Sequence, residues 1–386
     1  MRKGEIKMAF GKKNHVKVDP TAYSFMLLGE PKIGKTTVMM EALEKLVGED
    51  GYQFVELGRE RGADSIEGIN CINCPSWSED YDEENNSVGW SELVDDICDN
   101  KSTEYANLKV IAMDTYDQYI SIAEDEALRL WNRENPDKRA KSLNASWGGF
   151  GAGSKKAIEL MFEQIDRLNA VGVKVWWIGH VRNKSVTDIA TGDTYEVLSS
   201  DQQQNYFNAL KKNLHFLGLA FIDREIVKEK TGKKNVVTKK EEEKFVVKEE
   251  SRKIKFRDDS YVVDCGTRFK EIVDTIDLDS DQLIAAMTDA IKAEQSKSGK
   301  SFEETKKEQD KAEAERLKEI AKAEEKNKAK KEVDAVIAKI NDYLKENKSD
   351  VAKIKPVLAA CKECGVKTPS ELTSLEDALK VLEVIG

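Results

Sequence analysis

No apolar run in this sequence approaches the ~20 residues that a membrane-spanning helix needs. The first residues, Met1-Arg2-Lys3-Gly4-Glu5, are basic, but no apolar stretch follows them as it does in a signal peptide. The expectation is a soluble, cytoplasmic chain without membrane contact. An excess of positive charge is also missing: the net charge is −10, with 35% charged residues. That excludes a uniformly basic nucleic-acid coat and leaves room for local basic patches. Cysteine is sparse, with 6 in 386 residues, and does not form a disulfide framework at this size. Cys71-Ile72-Asn73-Cys74 alternates like a strand, and Cys361 and Cys364 fall at i and i+3 of a helix. Neither C-x-x-C pair sits in a glycine-rich knuckle, so both read as core thiols rather than as a zinc site.

What the chain does contain is G-x-x-x-x-G-K-T, in Gly29-Glu30-Pro31-Lys32-Ile33-Gly34-Lys35-Thr36. Glycines in such a loop let backbone N–H groups converge on phosphate oxygens. Lys35 can reach the β- and γ-phosphates, and the Thr36 hydroxyl can ligate Mg²⁺. The flanks agree. Tyr23–Leu28 is a short apolar run of strand character. The segment from Thr37 to Leu46 puts Met39, Leu43 and Leu46 on one helical face. A helix starting here adds its positive dipole end to the phosphate site. The expected cradle is therefore residues 29–36 with Thr37, and the expected ligands are ATP and Mg²⁺.

Three further residues fit this chemistry. Asp114 follows the apolar strand Val110-Ile111-Ala112-Met113, as a Walker B aspartate does, and is expected on Mg²⁺ with Thr36. Glu60, in Gly58-Arg59-Glu60-Arg61-Gly62, follows the second strand and is the candidate to orient the attacking water; Glu56 is its rival. His180 follows the buried strand Val173–Ile178 and can sense the γ-phosphate. Lys35, Glu60, Asp114 and His180 form the expected catalytic set.

Residues 1–20 read as a loose basic arm. From about 21 to 295, strand-like and helix-like segments alternate, the mark of an α/β sheet. The strands Tyr52–Glu56, Lys109–Met113 and Val173–Ile178 suit a mostly parallel sheet buried on both faces. The segments Leu217–Val227, Phe245–Lys248 and Ile254–Val263 suggest an antiparallel extension, with Lys228–Glu243 as a charged hairpin or loop. Residues 296–332 are rich in Glu, Lys and Ala and read as a charged helical linker. Residues 333–386 read as a small helical domain suited to binding a protein partner.

Two polar segments stand out. The first, residues 145–156, carries Trp147 and Phe150 for base stacking and Lys155 and Lys156 for phosphates, or else its aromatics pin it to the core. The second, Arg182–Gln204, reads as a long polar loop with Arg182 and Lys184 at its start. Arg257 and Arg268 lie where a basic residue of an oligomeric ATPase can reach a neighbour's ATP.

The order and spacing of Gly29–Thr36, Glu60, Asp114-Thr115, and His180 with Arg182 are RecA-like. The chain resembles the phage-encoded RecA-like ATPases of single-strand annealing and recombination, a family with a sensor histidine where RecA has glutamine. Trp147-Gly148-Gly149-Phe150-Gly151, Lys253–Arg257 and Thr267-Arg268-Phe269 look like its later segments. Two departures are Gly58, where the family usually has aspartate in D-x-E-x-G, and the added stalk and helices. The resemblance implies a RecA-like P-loop core, ATP hydrolysis between protomers of a ring or filament, and single-stranded DNA as partner. A nucleotide-dependent scaffold, or a helicase or helicase loader, are the alternatives.

Overall fold

The computed structural model describes residues 14–187, 191–234, 241–258, 263–348 and 350–385. The chain folds into two compact units, residues 1–95 with 107–311, and residues 96–106 with 312–386. The larger unit runs β1 (Phe25–Gly29), α1 (Lys35–Val47), β2 (Tyr52–Leu57), β3 (Cys71–Cys74), α2 (Trp90–Asp99, whose end belongs to the smaller unit), β4 (Val110–Asp114), α3 (Tyr116–Glu134), α4 (Ala152–Val171), β5 (Lys174–Thr187), β6 (Thr194–Ser200), α5 (Gln204–Lys211), β7 (Phe216–Lys234), β8 (Glu241–Lys255), β9 (Gly266–Thr267), β10 (Thr275–Asp277) and α6 (Ser280–Ser296).

The sheet has the order β10-β8-β7-β1-β5-β4-β2-β3, with β6 paired to β5 and β9 to β7. Neighbours from β7 to β3 are parallel, and β8 and β10 extend the sheet antiparallel. This is the expected RecA-like α/β core. Every residue of β1 and β4 is buried, because helices cover both faces, and the continuous apolar sequence follows from that. Trp176 of β5 packs edge-on against Phe25 of β1, with ring centroids 5.2 Å apart, and its indole N–H donates to the Tyr23 carbonyl at 2.9 Å. Such aromatic burial supplies much of the driving force for the core.

Two polar segments differ from expectation, and a third takes one of its two expected forms. Arg182–Gln204 is not a long loop: β5 continues to Thr187 and pairs antiparallel with β6, from Val181↔Ser200 to Thr187↔Thr194. Lys228–Glu243 follows the hairpin reading rather than the loop, since β7 and β8 pair antiparallel out to Lys234↔Glu241; residues 235–240 lie outside the described residues. Of the arm expected over 1–20, residues 1–13 lie outside the described residues, and residues 16–20 are docked. Val18 is buried and its N–H donates to Gln309, while Asp19 pairs with Lys109 at 2.9 Å.

The smaller unit is built on α7 (Phe302–Glu346) from residue 312 onward, α8 (Val351–Glu363) and α9 (Leu375–Glu383). The helix α7 is continuous over 45 residues, so the stretch read as a linker and the start of the small domain are one element. Val333, Ile337, Ile340, Val357, Cys361, Ala378 and Val381 make a core of its own. The polar stretch of α7 has partners in the same unit: Glu324 accepts from the Ser102 N–H at 2.9 Å, and Lys331 pairs with Asp99.

Candidate active site

The site is assembled at the carboxyl ends of four parallel strands. β5 lies between β1 and β4, so His180, where the parallel part of β5 ends, stands beside the P-loop on one side and Asp114 on the other. The register is explicit: Gly29↔His180, and Glu56↔Asp114 in the next ladder but one.

The P-loop itself closes on Gly34, which has φ +109°, a conformation that favours glycine because any Cβ there is strained. Close packing also fixes Gly29, where a Cβ would lie 3.0 Å from Ala220. Lys35 is buried, and its ammonium donates to the carbonyls of Gly29 at 3.1 Å and Glu30 at 2.9 Å. Burial lowers its pKa, and the carboxylates of Asp114, Asp117, Glu60 and Asp201 oppose that. Glu30, Pro31, Lys32 and Thr37 are exposed around the loop, whereas Ile33 is buried beneath it.

Thr36 donates its hydroxyl to Asp114 Oδ2 at 2.8 Å, which joins the P-loop to the Walker B strand. Asp114 is nearly fully buried, and burial pushes its carboxyl up to about 6, against the Thr36 hydrogen bond. Glu60 is half-buried, and a Cβ placed on Gly62 would be 3.9 Å from an oxygen each of Asp114, Glu56 and Glu60. Three carboxylates therefore surround Gly62. Glu56 is the more deeply buried rival and accepts from the Ala63 N–H at 2.6 Å, so it braces the turn that carries Glu60.

These donors suit a hard cation. They are all oxygens. Among the described residues no cluster of His, Cys, Asp and Glu closes a complete metal cage.

The sequence-derived set Lys35, Thr36, Glu60, Asp114 and His180 thus comes together. Two participants were not singled out by sequence. Asp117, in the first turn of α3, lies 3.3 Å from His180 Nδ1. Arg252 of β8 donates to the Ile33 carbonyl at 3.1 Å.

The proposed DNA contacts divide. Trp147 is anchored: its indole N–H donates to the Ala127 carbonyl at 2.9 Å and its ring faces Trp131 at 5.7 Å. Lys156 lies 5.5 Å over the Trp147 ring, and Lys155 and Phe150 are exposed. Residues 147–151 all have positive φ, including the non-glycine Trp147 and Phe150, a costly run for L-residues. Arg182 is exposed on the β5–β6 hairpin, while Lys184 donates to the Gln202 carbonyl at 3.0 Å. Arg268, a candidate finger toward a neighbour, is instead engaged on its own chain with the carbonyls of Lys212 and Leu214. Arg257 is exposed.

No curated protein matches the chain. Among solved structures it is similar to a KaiC-like protein from the hyperthermophilic archaeon Pyrococcus horikoshii, at 15% identity over 61% of this chain and 78% of that chain, with a TM-score of 0.29. Residues 21–251, more than half of the sequence, match the AAA domain, and the chain belongs to that family of P-loop ATPases.

Proposed function

We propose that the chain hydrolyses ATP with Mg²⁺ and couples nucleotide state to binding of single-stranded DNA, in phage recombination or replication. The observation that carries the catalytic part is the convergence of Lys35, Thr36, Asp114, Glu60 and His180 at the ends of adjacent parallel strands. Lys35 leaves the carbonyls of Gly29 and Glu30 for the β- and γ-phosphates. Thr36 and Asp114 hold the cation, whose charge neutralises the phosphates. Glu60 orients the attacking water, and His180 reports the γ-phosphate from the root of the β5–β6 hairpin.

The DNA part is supported by Phe150, which stands free on a strained glycine loop with Lys155 beside it. Arg182 adds a cation on the hairpin that His180 starts. Assembly into a ring or filament is part of this reading, with exposed Arg257 as the residue available to a neighbouring protomer.

The test is ATPase activity with and without single-stranded DNA, on wild type and Lys35→Ala. Stimulation by DNA in wild type and loss of activity in the variant are expected. A Lys35→Ala protein with ATP-dependent DNA binding intact overturns the reading.

A second reading has one observation in its favour, the independent core of the smaller unit. There the output of the ATPase is capture of a protein partner through residues 333–386. Truncation near residue 300 that abolishes partner capture and leaves DNA binding unchanged selects it.

A further inference from the structure

His180 is held at two points. Its main chain sits in the β1–β5 ladder opposite Gly29, and its carbonyl accepts from the Asp201 N–H at 3.2 Å. Its ring meets Asp117, with Nδ1 3.3 Å from Oδ1, and the two side chains are 23% and 19% exposed. Asp117 projects from α3, a different element from the strand that carries His180. With Nδ1 committed to a carboxylate, Nε2 is the ring nitrogen left for another group.

Resting on the ATPase reading above, the geometry points to Asp117 as the positioning residue for His180: it holds Nδ1–H, fixes the ring beside the P-loop, and leaves Nε2–H as a donor to the terminal phosphate. A neutral ring with its proton on Nδ1 offers only an acceptor at Nε2, and an anionic phosphate repels an acceptor. The ring must therefore be an imidazolium to act as a donor, and a carboxylate neighbour favours that form.

The surrounding charges agree. Asp117 holds the His180 imidazolium above its ordinary range, burial opposes it, Lys35 on α1 opposes it as well, and Asp201 after β6 supports it. Asp114 on β4 is a further carboxylate whose charge couples to His180. Burial is the largest influence on Asp117 and works against its ionisation, but the hydrogen bonds from His180 and Thr115 and the His180 charge together outweigh it, so the carboxyl stays below its usual range. The N-terminal turn of α3 favours the same anion.

The experiment is a pH titration of the histidine ring signals by NMR on the full chain without nucleotide. The sequence has 3 histidines, and His180 is identified by the signal lost in His180→Gln. Asp117→Asn keeps the shape and removes the charge. The His180 pKa is expected to fall by about one unit or more in this variant, because that is the usual effect of an opposite charge at this range. The alkaline limb of the kcat profile for ATP hydrolysis should move down by the same interval, with KM for ATP changing less than kcat. Asp117→Glu should restore part of both shifts.

A His180 titration that stays in place in Asp117→Asn overturns the proposal, as does a titration that moves while the kcat limb does not. If Asp117→Asn fails to fold, wild type decides: His180 titrating at or below about 6.5 overturns it. The NMR readout needs no ATP, so failure here is distinct from failure of the ATPase reading, which the Lys35→Ala assay reports.

Discussion

Glu56 and Asp114 stand directly opposite each other in the β2–β4 ladder, and both are nearly fully buried. Burial raises the pKa of both carboxyls, that of Asp114 to about 6. A carboxyl raised in the folded state binds its proton more tightly there than in the unfolded chain. Its cost is absent below the unfolded value and grows as pH rises through about 6. Asp114→Asn, which can still accept from Thr36, should therefore stabilise the nucleotide-free protein at pH 8 by about 1–3 kcal/mol and do little at pH 4. The same variant should lose ATPase activity. Thermal unfolding at the two pH values checks the first part, and a variant less stable than wild type at pH 8 refutes it.

Arg252 ties the antiparallel extension to the loop that binds phosphate, through the Ile33 carbonyl. A guanidinium fork has further donors to offer at an anionic site. Arg252→Ala should weaken ATP binding roughly 3–10-fold, the scale of one exposed charge-assisted hydrogen bond. Its melting temperature should barely change. Direct nucleotide titration reads the effect, and equal affinity in variant and wild type counts against a role for β8 in the site.

Trp147 and Phe150 should separate stability from DNA binding. Trp147→Ala removes the indole bond to Ala127 and the contact with Trp131, so a loss of about 2–3 kcal/mol is expected. Phe150→Ala removes a ring that packs on nothing, so stability should hold while affinity for single-stranded DNA falls about tenfold. The converse pattern would assign the stacking role to Trp147.

Ile340 is fully buried in the smaller unit. Ile340→Asp places an unpaired charge there and should cost several kcal/mol, on the order of that unit's whole stability. Limited proteolysis should then cut within 333–386 while ATPase activity persists. Loss of ATPase activity in the same protein would show that the two units do not function separately.

The P-loop and Asp114 were legible because each is a local pattern: a fixed string, or an acidic residue closing an apolar strand. Strands β1, β2, β4 and the first half of β5 were legible because burial on both faces writes a continuous apolar run. The outer half of β5, β6 and the ends of β7 and β8 are two-stranded ladders rich in polar residues, which mimic a loop, so pairing alone reveals them. Asp117 and Arg252 carry no local signature. Asp117 matters because β5 is threaded between β1 and β4, and Arg252 because β8 returns to the P-loop after more than two hundred residues. The intrachain contacts of Arg268 are equally invisible in the sequence, since the carbonyls it meets belong to the end of α5 and the turn after it.

The position of His180 in the β1–β5 ladder also sets where this chain tolerates changes of length. Side chains alternate across a sheet, so one residue inserted between Lys174 and Gly179 would turn the histidine to the opposite face and bring a neighbour to the P-loop. Beyond Val181 the same strand becomes one arm of a ribbon, where paired insertions lengthen the arm without altering the inner register. The β5–β6 ribbon can thus vary in reach while the P-loop end of the sheet keeps a fixed residue count.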